Sequence, residues 1–102
     1  MERKEIPLYS GLLTYFPEAL NHVANCSYQG NLQHHPEKPL HWDKDKSSDH
    51  PDAMLRHLAD HYKNPIDDDG VLHLAKCAWR ALAFLEIYLE EQKKEPFDKK
   101  LF

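Results

Sequence analysis

Apolar and small positions recur at helical intervals in three separate stretches of the chain, and each stretch carries its own boundary residues. Over residues 15–29, Phe16, Leu20, Val23, Ala24 and Ser27 repeat at helical spacing and so share one face of a helix. Thr14 stands where an N-cap belongs, Pro17 falls in the first turn where a missing N–H costs nothing, and Gly30 is placed as the stop. Over residues 49–62, Met54, Leu55, Leu58 and Tyr62 form the stripe. Ser48 is a good N-cap, Pro51 falls in the first turn, and Asp49 and Asp52 lie near the positive end of the dipole. The third stretch, residues 69–93, is the longest. Its Val71, Leu74, Ala78, Leu82, Leu85 and Leu89 follow the spacing of a bundle helix, and Asp67, Asp68 and Asp69 offer caps and first-turn charge. At 1.5 Å per residue this helix runs about 37 Å, farther than the other two can cover. Ala83, Phe84 and Ile87 make its C-terminal half apolar on more than one side, a surplus that predicts burial against another protomer. Alternating patterns are absent and β-branched residues scarce, so no strand competes. The expected fold is all-α: a small bundle of three main helices with a long His/Pro-rich loop, completed by homo-oligomerisation. Residues 1–9 and 93–102 are expected to pack loosely at its ends.

Composition narrows the class. A chain of 102 residues is one domain and buries roughly two thirds of its unfolded surface, which needs neither a disulfide nor a metal to fold. A net charge of -4 argues against a nucleic-acid binder, which presents a basic face. Cys26 and Cys77 sit in helical segments without a paired framework, the usage of a reducing compartment. The N-terminus has no apolar signal region and no stretch approaches the length of a membrane span, so a soluble, cytoplasmic protein is expected.

The chemistry concentrates where the periodicity fails. Residues 30–42 read GNLQHHPEKPLHW, and KSSDH follows at residues 46–50; together they hold four of the eight histidines, and Trp42 besides. An irregular segment lies at the surface because its backbone polar groups need partners. One rich in imidazole, indole and ammonium groups and stiffened by proline is suited to contact a ligand. His34, His41, Trp42 and Lys46 are its candidates. The helices add polar rows: Ala53, His57 and His61, with Arg56 in a neighbouring row, on the second, and Asp69, His73, Lys76 or Cys77, and Arg80 on the third. A row of His, Lys and Arg starting at a helix N-terminus suits phosphate. A solvated face with ion pairs such as Asp52–Arg56 explains the rows equally well. His57 and His61, at i and i+4, are spaced to hold one transition metal. Asp67 and Asp69 are spaced to hold Mg²⁺, with helix capping as the plain alternative. A nucleophilic triad is disfavoured, since neither cysteine has a convincing base nearby in sequence and no serine is flanked by glycine on both sides.

The strings GNLQHHPEKPLHW, KSSDH, MLRHLADH and DDDGVLHLAKCAWRALAFLE resemble a group of small phage and prophage proteins classed with the dATP/dGTP diphosphohydrolase N-terminal domain. Their pattern runs roughly N-x-Q-H-x-P-G-x-P-L-H-W, K-S-x-D, R-H-L and D-x-D-G-x-x-H-x-A-K-x-A-W-R-A-L-A, and this chain departs from it at Glu37. The match spans about residues 30–86. It implies an all-α fold akin to MazG-like nucleotide pyrophosphohydrolases and a purine deoxynucleotide ligand. The paired acidic signature by which MazG-like enzymes hold Mg²⁺, E-x-x-E then E-x-x-D, is absent from the central helices. Two functions therefore stand side by side. One is a Mg²⁺-dependent pyrophosphohydrolase converting a purine deoxynucleoside triphosphate to the monophosphate and pyrophosphate, in which Asp67 and Asp69 hold the metal and Lys46, Lys76 and Arg80 the phosphates. The other is a non-catalytic sponge that sequesters a defence signalling nucleotide, with the base stacked on Trp42 or a histidine.

Overall fold

The computed structural model describes residues 1–94, and over them the chain is helical, with a lone antiparallel bridge between Ile66 and Leu72 and no strand. A 3₁₀ turn at Arg3–Glu5 and a π-helical turn at Tyr9–Leu13 precede three α-helices: α1 (Pro17–His34), α2 (His50–Lys63) and α3 (His73–Lys94). Helix α3 is central, packing against α2 along one side and α1 along another. None of the described helices is long and apolar enough to cross a membrane.

The boundaries follow local chemistry, and several differ from the expectation. Helix α1 does start at Pro17, but Thr14 does not cap it; the Thr14 hydroxyl donates to the Ser10 carbonyl in the preceding turn. Nor does Gly30 stop it. The helix continues to His34 and ends where His35 leaves the helical region (φ -145°, ψ 62°) ahead of Pro36, a residue that disfavours helical backbone before it. The extra turn is tied down by Asn31, whose amide donates to the carbonyls of His35 and Lys38. Helix α2 takes Asp49 rather than Ser48 as its N-cap residue, through its backbone carbonyl alone. Helix α3 begins at His73, not Asp69. Gly70 adopts φ +84°, a left-handed conformation that closes a turn from Asp67 and cannot be continued as a helix. Asp67 and Asp69 therefore serve as turn residues: their Oδ1 atoms accept the backbone N–H groups of Asp68 and Val71.

The largest departure concerns which faces point inward. The buried apolar residues are small: Val23, Ala53, Val71, Ala75 and Ala83. Leu82, Leu85 and Leu89, which follow the spacing of a bundle helix and were expected with Phe84 to contribute to a surface buried between protomers, are 53%, 54% and 46% exposed, and Phe84 is 46% exposed. On α2, Leu55, Leu58 and Tyr62 likewise face out. What α2 and α3 turn toward each other and toward α1 is the row they were expected to leave polar, with His50 and Ala53 of α2 and His73, Ala75 and Ala83 of α3 buried. Small and polar residues allow the helices to approach closely around a cavity, and the leucine stripes are left uncovered. The loosely packed start is exposed nearly throughout residues 1–10; residues 95–102 of the other expected loose end lie outside the described residues.

Candidate functional site

A cavity of about 480 Å³ opens between the C-terminal half of α1, the loop after it, the start of α2 and the inward face of α3. That volume is ordinary for a small-molecule site. Long-range contacts shape it. His35 Nε2 lies 3.1 Å from Asp43 Oδ2, and Lys44 Nζ lies 2.7 Å from Glu90 on α3, so the loop is clipped to itself and to the bundle. Trp42 meets Trp79 of α3 edge-on with ring centroids 5.5 Å apart, and Trp79 Nε1–H donates to Ser27 of α1 at 2.8 Å.

One end of the cavity is organised by Arg80. Its Nη1 lies 3.0 Å from Ser47 Oγ, 3.1 Å from His50 Nδ1 and 3.3 Å from Asp49 Oδ1. A guanidinium has only donors, so His50 Nδ1 must accept and the imidazole proton sits on Nε2. His50 is 4% exposed, and its Nε2 has no partner among the described residues. Burial first, and then the Arg80 charge, push the His50 pKa below its usual value, which keeps the ring neutral. A neutral buried N–H without an acceptor, in a residue lining a cavity, is a donor for a ligand oxygen.

The other end holds an ion-pair knot. Lys76 Nζ donates to Asp67 Oδ2 at 2.7 Å and to Asp69 Oδ2 at 2.6 Å, and Gln33 of α1 adds a third bond to Asp69 at 2.9 Å. Burial works to raise the Asp69 pKa, but Lys76, Gln33 and the Val71 N–H outweigh it and hold the carboxyl at about 2. The Lys76 bond is the main reason Asp67 is also lowered. Behind this knot His57 and His73 face each other, Nδ1 to Nδ1, at 3.0 Å. Burial, then the Lys76 and His73 charges, lower the His57 pKa.

Of the residues singled out from sequence, His34, His41, Trp42, Lys46, His57, Lys76 and Arg80 line the cavity, as does Asp69. His73 and Asp67 stand beside it, joined to His57 and Lys76. Arg56 is exposed on α2 and does not line the cavity. His61 does not pair with His57; its Nδ1 is buried without a partner among the described residues. Sequence reasoning missed His50 and Trp79. His50 lies one turn before Ala53 on the row that leads to His57, and Trp79 lies one turn from Lys76 on the same face of α3. Gln33 and Ser47 were also missed, and no local spacing announces them.

Residues 3–97 match a protein-family model described as dATP/dGTP diphosphohydrolase, N-terminal. Among curated proteins none matches the chain, and no solved structure does.

Proposed function

The chain belongs to the dATP/dGTP diphosphohydrolase N-terminal family, and on that premise we propose that its cavity binds a purine deoxynucleoside triphosphate. The observation that carries this reading is the convergence of Arg80, the Ser47 hydroxyl and the unpartnered Nε2–H of buried His50 at one end of the cavity. Phosphate oxygens would satisfy that orphan donor and compete with Asp49 for the guanidinium. Lys46, 68% exposed at its side chain, adds a second cation. At the aromatic wall Trp42 and Trp79 offer the base a stacking surface.

Turnover to monophosphate and pyrophosphate is the activity that the family description suggests. Mg²⁺ takes oxygen ligands, and the carboxylates spaced for it in the sequence are those of Asp67 and Asp69. Both Oδ2 atoms hold the Lys76 ammonium, so the pair does not fit a resident Mg²⁺ while Lys76 bridges it. The same observation favours the second reading, a protein that sequesters a nucleotide without cleaving it. We also propose that the working form is a homo-oligomer in which a second copy covers Leu82, Phe84, Leu85 and Leu89, because half-exposed side chains of this size are costly to leave in water.

Incubation with dATP, dGTP and other nucleotides, with and without Mg²⁺ or Mn²⁺, followed by chromatography of ligand and products, tests binding and turnover. Retention of intact purine nucleotide supports binding without cleavage, and metal-dependent pyrophosphate release supports the hydrolase. Failure to retain or convert any purine nucleotide overturns the proposal.

A further inference from the structure

We propose that His57, His73 and Asp67 form a site for a transition-metal dication of the Zn²⁺ class at the edge of the cavity. The proposal stands on the geometry of three segments and does not depend on the nucleotide reading. His57 comes from the middle of α2, His73 is the first residue of α3, and Asp67 belongs to the turn that joins them. The Nδ1 atoms of the two rings are 3.0 Å apart, and Asp67 Oδ2 lies 3.9 Å from His73 Nδ1; all three ligand atoms lie within 4.8 Å of one another. Tetrahedral Zn²⁺ with bonds of about 2.0–2.1 Å separates its ligand atoms by roughly 3.3 Å. To reach that spacing the imidazoles part by about 0.3 Å, and the carboxylate approaches His73 by about 0.6 Å and His57 by up to about 1.5 Å, a shift that a side-chain rotation supplies.

The ligands are held by the backbone. The His73 N–H donates to the Pro65 carbonyl, and Asp67 is fixed by hydrogen bonds from its own N–H to Val71 and from the Asp68 N–H to its Oδ1. The His73 side chain is 8% exposed, whereas His57 lines the cavity. An ion here has protein on one side and open space on the other, the arrangement of three protein ligands with a vacant position. Two imidazoles and one carboxylate select Zn²⁺, Co²⁺ or Ni²⁺ over Mg²⁺, whose preference is for oxygen.

Without metal, the 3.0 Å contact is a hydrogen bond from one protonated Nδ1 to one bare Nδ1. Coordination by both Nδ1 atoms requires the donor ring to carry its proton on Nε2 instead, with no net proton lost. Lys76 competes for the same Asp67 oxygen at 2.7 Å. It also holds Asp69 at 2.6 Å, so it keeps a partner when a metal takes Asp67.

The test uses the full chain, stripped with chelator and free of nucleotide. Zn²⁺ is titrated calorimetrically and Co²⁺ by its visible absorption. The expected result is one ion per chain, unaffected by millimolar Mg²⁺, with Co²⁺ bands of a nitrogen/oxygen site. His57→Ala is expected to weaken binding by at least about a hundredfold, since loss of even an outer partner costs ten- to a hundredfold. Asp67→Asn serves as a second variant in case the first fails to fold, as judged by circular dichroism. The more exposed group His35, His41 and Asp43 is the other arrangement of metal-capable groups among the described residues. Loss of binding in His35→Ala with retention in His57→Ala overturns the proposal, as does the absence of a one-site isotherm in the unaltered chain.

Discussion

Replacing Lys76 with methionine removes one charge while keeping most of the side-chain volume, and it leaves Asp67 and Asp69 facing each other without their shared cation. Asp69 is the more sensitive reporter, because its carboxyl is held at about 2 instead of 3.8. At about 1.36 kcal/mol per pH unit that difference amounts to about 2.4 kcal/mol in favour of the charged form. The Asp69 side chain is 25% exposed. Screening by solvent reduces the share that reaches folding stability to about 1 kcal/mol. The sign follows from the direction of the shift. A carboxyl depressed in the folded state stabilises the fold above its unfolded value near 3.9, and that contribution is lost as pH falls toward about 2. In Lys76→Met the burial that opposes ionisation is no longer offset by the ammonium and is resisted only by Gln33 and the Val71 N–H, so the Asp69 midpoint is expected to rise from about 2. Urea unfolding at pH 7 is expected to show a loss of about 1 kcal/mol. Carbon-detected NMR titration of the aspartate carboxyls reads the midpoint directly. A folded Lys76→Met protein in which Asp69 still titrates at about 2 would refute the reasoning, and the bonds from Gln33 and Val71 would then be the true source of the shift.

Arg80→Ala removes the guanidinium that holds Ser47 and His50, and is expected to cost about 1.5–3 kcal/mol in nucleotide affinity by calorimetry with little change in circular dichroism. Unchanged affinity in the folded variant would make Arg80 structural. Trp42→Ala is expected to weaken nucleotide binding by roughly ten- to a hundredfold. Because the ring also packs on Trp79, melting temperature must be measured on the same variant; early melting with normal affinity would assign the indole to loop packing alone. Leu85→Glu places a charge in the uncovered stripe of α3 and is expected to reduce the assembled mass to that of one chain by light scattering. A monomer mass for the unaltered chain at micromolar concentration would end the oligomer proposal.

The helices were legible in the sequence because each repeats apolar residues over several turns, and that signal is local. The same signal misled about direction. A leucine stripe reports that a helix must cover one face, not what covers it, and in α3 the stripe of Leu82, Leu85 and Leu89 lies outside this chain's own core. The Asp67–Gly70 segment admitted two readings, since a carboxylate at a helix start and one in a tight turn accept the same kind of backbone N–H. Gly70 in the left-handed region decides for the turn, and thereby moves the start of α3 to His73. The site was half legible for a related reason. Lys76 and Arg80 announce themselves as long cations four apart on one helix, whereas their partners are distant: Arg80 meets Ser47 from 33 residues away and Asp69 meets Gln33 from 36. No periodicity encodes such pairs. They arise only when α1 runs past Gly30 and the loop folds back on α3. His50 shows the limit most clearly: its neighbour in sequence is Pro51, and nothing local says that a guanidinium will fix its tautomer. The residues with the most chemistry lie on the faces that hydrophobic patterning assigns to solvent. Polar side chains turned inward require a cavity, and in this chain that requirement locates the site better than any single motif does.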